Sequence, residues 1–510
     1  MRRLVTADQM RAIDAATIAD HGMPAGVLME NAGAALAEAA EALAGPRGRF
    51  FVLCGRGNNG GDGLVAARRL LARERTVFVE LVGGAERLDG EPKRNLLALQ
   101  SAGLGPAQIS EEVQAGPGDV VIDALFGTGL SRAPEGAYAE AIARIRAWRA
   151  AGAKVVAADI PSGLSSDTGQ PFEPCVEADV TTSFGLLKVG QALEPGRSIC
   201  GETREIDIGI PAIAAQVVTG PAIWLLDEDD ARARIPKRRR DAHKGTFGHV
   251  LVVAGSWGKT GAAAMTGLGA LRSGAGLVTV ATRPEALVPV MAHAPELMGV
   301  ELLANGPLGL GDLNPLLEAA DGKSAIVIGP GIPRGEETGK LIGALLEEIS
   351  IPCVLDADAL NAVAARPDAL RQAKCPLILT PHPGEMARLT GKSTKEVQHD
   401  RVGVARRVAA AHQAVVVLKG ASTVIALEDG TVFINPSGNP GMATGGSGDV
   451  LSGVLGALLA QGLSPDDAAV AGVFAHGLAG DLAARRTGQL GLIATDLLAG
   501  LCEVWVRWGR

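Results

Sequence analysis

The chain has 510 residues, too many for one hydrophobic core, which points to roughly two to four domains. Apolar residues make up 47% and charged residues 20%, enough for each domain to bury a substantial interior, while 68 glycines indicate tight turns and close backbone approaches rather than disorder. A net charge of −8 excludes a general attraction for nucleic acid or an anionic membrane, and the short basic run Lys237–Arg240 reads as a solvated linker or a local anion contact.

The first residues lack the apolar core of a signal peptide, and no apolar stretch is long enough to span a bilayer. Six cysteines without a Cys-x-x-Cys pair fit neither a zinc site nor a disulfide framework. A soluble, cytoplasmic protein is expected.

Short β-branched runs alternate with Gly-rich turns and Ala/Leu helices along the chain. In the first half the predicted strands are Phe50–Cys54, Thr76–Val82, Val120–Leu125 and Lys154–Ala158, with helical patterns at Leu64–Arg73 and Ala137–Arg149. In the second half they are His249–Ala254, Gly276–Ala281, Ser324–Gly329, Pro352–Asp356, Pro376–Thr380 and Ala414–Lys419. This spacing predicts an α/β chain with parallel sheets covered by helices. Pro/Gly punctuation, an acidic cluster and the basic run between Ile210 and Asp241 place a domain boundary near residue 220, giving domains 1–220 and 221–510.

The strand ending at Cys54 is followed by Gly55-Arg-Gly-Asn-Asn-Gly-Gly-Asp-Gly63. Gly55, Gly57 and Gly60 match a dinucleotide fingerprint, and Glu80 falls where a ribose-binding acid is expected. Asp62 argues for a modified ligand loop, because its charge would repel a pyrophosphate unless a cation is near. Two later strands end alike, in Asp123-Ala-Leu-Phe-Gly127-Thr-Gly129 and in Asp159-Ile-Pro-Ser162-Gly163. Taken singly, Asp123 and Asp159 read as helix caps or turn formers. Ligands bind beyond the carboxyl ends of strands in open α/β sheets, so the three loops can converge on one crevice.

These segments, with Asn31-Ala32-Gly33 and Thr182-Ser-Phe-Gly185, resemble the NAD(P)H-hydrate epimerases over nearly the whole first half. The resemblance implies a Rossmann-like α/β/α sandwich that epimerises hydrated NADH and NADPH. It implies that Asn58, Asn59, Gly60, Gly61 and Asp62, then Gly127, Thr128, Gly129, Leu130, Ser131, Arg132 and Ala133, together with Asp159, hold the hydrated cofactor. It also implies K⁺ held by Asn59, Asp123 and Ser162, oxygen donors suited to a hard cation. Asp159 is the expected proton shuttle.

The strongest signal in the second half is Asn439-Pro-Gly-Met-Ala-Thr-Gly-Gly-Ser-Gly448-Asp449, running into an apolar helix. A glycine run at a helix N-terminus presents backbone N–H groups to an anion, and an acid in the first turn can take a proton from a hydroxyl attacking a phosphoryl group. Gly258-Lys259-Thr260 imitates the end of a Walker A loop, but Val253 stands where its first glycine is required, so Lys259 reads as a substrate-loop or solvated residue. His382, flanked by prolines at a strand end, reads equally as a surface histidine or a ligand contact; Asp356 and Asp358 read equally as turn residues.

The glycine loop resembles ribokinase-like folds. His243-Lys-Gly245, Ala254-Gly-Ser256, Gly329-Pro-Gly331, Asp356-Ala-Asp358, Thr380-Pro-His382-Pro-Gly-Glu385 and Leu418-Lys-Gly420 narrow the resemblance to ADP-dependent NAD(P)H-hydrate dehydratases. It implies that Ala262, Gly331, His382 and Asp449 contact the hydrated nucleotide. Lys419, Gly420, Ala421, Ser422, Thr423 and Gly448 would contact the adenine nucleotide. Asp449 is the expected base, ADP the co-substrate, and Mg²⁺ the accompanying cation, with Glu385 a candidate for placing it. The expected partners are small molecules alone, and a homo-oligomer is expected. The rival reading is a small-molecule kinase fused to a non-catalytic nucleotide-binding module.

Overall fold

Apolar runs of three to six residues make strands buried on both faces, as helices on either side of a parallel sheet require. The computed structural model describes all residues except 87, 111, 304–307 and 367. The chain divides into two compact units, Arg3–Gly220 and Pro221–Arg510, the latter with Met1–Arg2.

In the first unit, six parallel strands lie in the order Val77–Leu81, Phe50–Cys54, Val120–Ala124, Lys154–Ala158, Val180–Phe184 and Glu202–Ile206. Alternation along Phe50–Cys54 builds both cores. Phe50, Val52 and Cys54 join Leu36 and Leu64 on one face, while Phe51 and Leu53 join Ile145 and Trp148 on the other. From Phe50–Cys54 the chain goes first to one neighbour and later to the other, so a topological switch point opens beside the carboxyl end of this strand. The last two strands, rich in Thr, Ser and charge, have no counterpart among the predicted ones.

The second unit has seven parallel strands in the order Met298–Glu301, Leu277–Thr282, His249–Val253, Ala325–Ile328, Cys353–Leu355, Leu377–Leu379 and Val415–Leu418. Thr423–Ala426 and Val432–Asn435 follow antiparallel, a departure from the all-parallel expectation, and Ile223–Leu225 adds a parallel edge. A tight connection such as 419–422 can only reverse the chain, because a parallel return needs a crossover of a dozen or more residues. Helix Ser447–Ala460 is buried along nearly its whole length and packs on helix Thr260–Arg272 and on the sheet. No helix among the described residues is long and apolar enough to cross a membrane.

Candidate active sites

The helix after Cys54 starts earlier than its apolar pattern suggests. It runs Asn58–Ala72, with Gly57 as N-cap, so the Asn-Asn-Gly-Gly-Asp segment is helical rather than a loop. Gly60 makes this possible: a side chain there would collide with the Gly55 carbonyl, so only glycine lets the helix start so close to the strand end. Asp62 consequently sits in the second turn, buried, with its carboxyl at a cleft of about 810 Å³.

This cleft lies at the switch point and is lined by Asn58, Asn59, Asp62, Gly127–Leu130 and Asp159. Three predicted contacts, Ser131, Arg132 and Ala133, are exposed and do not line it, because the chain turns outward after Leu130. Gly60 and Gly61 are buried against Gly55 and Met29, so they shape the helix start rather than face the cleft. Glu80 is drawn elsewhere, accepting from Ile109 N at 2.9 Å and pairing with Arg144 at 2.8 Å, so it is not a ribose acid in this cleft.

Asp123, Ser162 and Asn59 meet behind the cleft. Ser162 Oγ and N donate to the two Asp123 oxygens at 2.6 and 2.7 Å, and Phe126 N donates to Ser162 Oγ at 3.0 Å. Asn59 Nδ2 donates to Phe126 O at 2.8 Å, which leaves its carbonyl oxygen available. Burial pushes the Asp123 carboxyl up to about 6, against the hydrogen bonds from Ser162 and Leu125.

Asp159 has φ of 62°, a left-handed conformation rare outside glycine, and lines the cleft. Its Oδ1 accepts from Phe184 N at 3.0 Å and pairs with Lys188. Lys188 is fully buried and also donates to Phe184 O at 2.8 Å and to Ser183 Oγ at 3.3 Å. Asp14, on helix Ala7–Ala19, faces the same cleft with one buried oxygen lacking a partner. Burial first, then the nearby Asp159 charge, holds Asp14 up at about 6 and Asp62 well above the usual carboxylate range. Sequence reasoning missed Asp14 and Lys188. A lysine inside the run Phe184-Gly-Leu-Leu-Lys188-Val was the available signal, since buried lysine demands a charged partner.

In the second unit Asp449 stands in the first turn of helix Ser447–Ala460, whose N-cap Gly446 has φ of 95° and gives no side-chain cap. A Cβ at Gly448 would lie 3.3 Å from Lys419 Nζ, so the glycine leaves room beside the ammonium. Lys419 is bonded to Asp356 Oδ1 at 2.5 Å, and Ser452 Oγ donates to Asp356 Oδ2 at 2.7 Å. Asp449 has no such partner among the described residues. Burial, then the charges of Asp356, Asp358 and Glu385, push it up to about 7 despite Lys419. Burial opposes the charge on Lys419, but Asp356, Glu385 and Asp449 together raise its proton affinity.

Arg401, missed in the sequence, pins the loop that carries Lys419 to Thr423. It is buried, with burial pulling it down to about 10, and donates to Leu418 O at 3.1 Å and Ser422 O at 3.3 Å. His476, also missed, is held neutral by burial at about 4 and meets Ser447 O at 2.9 Å, fixing the helix tip. His382 caps helix Pro383–Thr390: its Nδ1 accepts from Gly384 N at 3.0 Å and Glu385 N at 3.3 Å, so that nitrogen is committed to the backbone. Ala262 and Gly331 are adjacent, with a Cβ on Gly331 meeting that of Ala262 at 3.0 Å.

Cleft and helix tip are the candidate active sites of a nucleotide-handling enzyme, one on a Rossmann-like sheet and one on a ribokinase-like sheet. A family model described as NAD(P)H-hydrate dehydratase matches residues 250–502, and one described as YjeF-related protein N-terminus matches residues 25–190. A bifunctional NAD(P)H-hydrate repair enzyme of Moorella thermoacetica is 43% identical, covering 97% of this chain and 95% of its own. Its Escherichia coli counterpart is 39% identical over 89% of this chain and 84% of its own. A solved hypothetical protein of Streptococcus mutans, 26% identical, covers 56% of this chain and 100% of its own with a TM-score of 0.50. The chain belongs to the bifunctional NAD(P)H-hydrate repair enzymes.

Proposed function

We propose that residues 1–220 interconvert the two stereoisomers of hydrated NADH and NADPH, and that residues 221–510 dehydrate the (S) form with ADP, releasing AMP and phosphate. The observation that carries this reading is Asp449: an acid at an uncapped helix tip, beside Lys419, with a proton affinity near neutrality.

In the second domain the substrate's ring hydroxyl is a poor leaving group. Asp449 takes its proton as the oxygen attacks the terminal phosphorus of ADP, breaking the bond to the bridging oxygen and freeing AMP. The helix tip and Lys419 face the charge that develops on the phosphoryl oxygens. Phosphate then leaves as the ring-nitrogen lone pair forms a C=N bond, and loss of a ring proton restores the reduced nicotinamide. Lys419–Thr423 and Gly448 hold the adenine nucleotide, while Ala262, Gly331 and His382 hold the hydrated ring.

In the first domain the hydroxyl sits on a carbon next to nitrogen. The nitrogen lone pair expels it as water once an acid supplies a proton, and water returns to the other face with loss of a proton. Asp159 is the group that gives and takes that proton, with its far oxygen aimed by Lys188 and Phe184 N. Asp14 and Asp62 keep the cleft acidic.

Two cations accompany these steps. The Asn59 carbonyl, Asp123 carboxylate and Ser162 hydroxyl form a hard oxygen set that fits K⁺, and a cation there relieves the buried Asp123 charge. No group of three or more His, Cys, Asp or Glu able to hold a metal exists among the described residues. Mg²⁺ would arrive with the nucleotide, steadied by one or two carboxylates such as Glu385, and would supply charge neutralisation at the phosphates. A cytoplasmic homo-oligomer acting only on small molecules completes the proposal.

The decisive experiment incubates the protein with ADP and hydrated NADH and follows recovery of reduced-nicotinamide absorbance, with ATP in parallel. Recovery must depend on nucleotide and release phosphate; accumulation of a stable phosphorylated product instead would favour a conventional kinase.

A further inference from the structure

The strap between strand His249–Val253 and helix Thr260–Arg272 carries an indole that the fold leaves in water. Trp257 is 75% exposed, whereas Trp148 and Trp508 are almost wholly buried. Two residues on, Lys259 Nζ bonds Asp358 Oδ2 at 3.1 Å, and Arg334 Nε donates to the other Asp358 oxygen. One buried carboxylate thus orients two cations whose side chains are half or more exposed, leaving a net positive charge facing out. The helix behind them has no side-chain cap, so its amide dipoles add to the same field.

The strap is not loose. Ser256 Oγ donates to Gly331 O at 2.7 Å, Gly255 N to Pro330 O at 2.8 Å, and Lys259 N to Ser256 O at 2.8 Å. Its inner end touches the positions assigned to the hydrated ring: a Cβ on Gly331 would lie 3.0 Å from both Ala262 Cβ and Lys259 O. Its outer end is the cation pair and the indole. The sheet places it four strand positions from Val415–Leu418, which leads into the Lys419–Thr423 loop. At about 4.8 Å per strand the two strand ends are roughly 19 Å apart, so the strap and that loop flank the site on opposite sides, with Asp356 and Asp358 between them.

We propose that Trp257, Lys259 and Arg334 form the subsite for the adenylate half of the hydrated dinucleotide, the cations gripping its diphosphate bridge and the indole stacking on its adenine. A diphosphate matches paired cations in charge and spacing, and a purine matches an exposed indole held on a fixed backbone. This rests on the dehydratase reading of the second domain. It makes the preference for a dinucleotide over a mononucleotide a property of this strap.

The test compares ADP-dependent repair of hydrated NADH with that of hydrated, reduced nicotinamide mononucleotide, which lacks the adenylate half. Wild type is expected to favour the dinucleotide in kcat/KM. In Trp257→Ala, and separately in Lys259→Gln/Arg334→Gln, that preference falls about tenfold through KM for the dinucleotide, while KM for ADP holds. An unchanged preference in both variants, an equal loss on both substrates, or a rise in KM for ADP alone overturns the subsite. If wild type repairs neither substrate with ADP or ATP, the dehydratase reading itself fails, and the subsite with it.

Discussion

Each domain sets a carboxylate near a lysine at the mouth of an α/β sheet, the first fully buried and the second half-buried, yet the two pairs are wired differently. In the first domain Lys188 bonds the proposed proton shuttle Asp159 directly. In the second, Lys419 bonds Asp356 instead, and burial first, then the neighbouring acids, holds the proposed base Asp449 near neutrality. A lysine in a site therefore does not by itself mark the acid proposed to move the proton: Lys188 bonds that acid, whereas Lys419 bonds its neighbour.

The sharpest way to break this comparison is to remove Asp449. Asp449→Asn is expected to lower ADP-dependent dehydration by about 10³-fold while epimerisation continues, read by absorbance recovery and by separation of the stereoisomers. Loss of both activities would contradict independent sites. Asp159→Asn is expected to slow epimerisation about 10²-fold and leave dehydration of the (S) form alone; a full epimerisation rate would remove Asp159 from its role.

Smaller effects sharpen the wiring. The acid limb of dehydratase kcat/KM is expected near pH 7, where Asp449 loses its proton. In Asp356→Asn one negative neighbour is gone and Lys419 is released, so that limb moves to lower pH; an upward move would refute the assignment. A raised folded-state affinity also makes ionised Asp449 a cost to stability. That cost is absent below pH 4, grows through pH 7, and at most reaches about 4 kcal/mol above it. Asp449→Asn should accordingly melt higher than wild type at pH 8 and equally at low pH. The smallest effect expected is that of Arg132→Ala, since this exposed residue lies outside the cleft: KM for hydrated NADH in epimerisation changes less than about twofold.

Much of this molecule is legible in its sequence. The strands Phe50–Cys54 and Lys154–Ala158 are readable to the residue, because a run of apolar residues between turn formers has few alternatives. Val180–Phe184 and Glu202–Ile206 were not readable, since Thr, Ser and Glu carry no periodic apolar signal and become strands only by completing the sheet. The start of helix Asn58–Ala72 was misread because its opening glycines have poor helix propensity, and only the Gly55 backbone shows why glycine is needed there.

The same division holds for the sites. Sequence alone determined two α/β domains and set Asp123, Asp159 and Asp449 at strand and helix ends as candidates, because glycine-flanked acids at such ends form a local pattern. Tertiary structure alone decided that Asp14 joins a cleft with Asp159, that Lys188 lies buried beneath it, and that Lys419 belongs to Asp356. These pairings bring together side chains from distant segments, and proton affinity depends on distance and burial, which no spacing along a chain encodes.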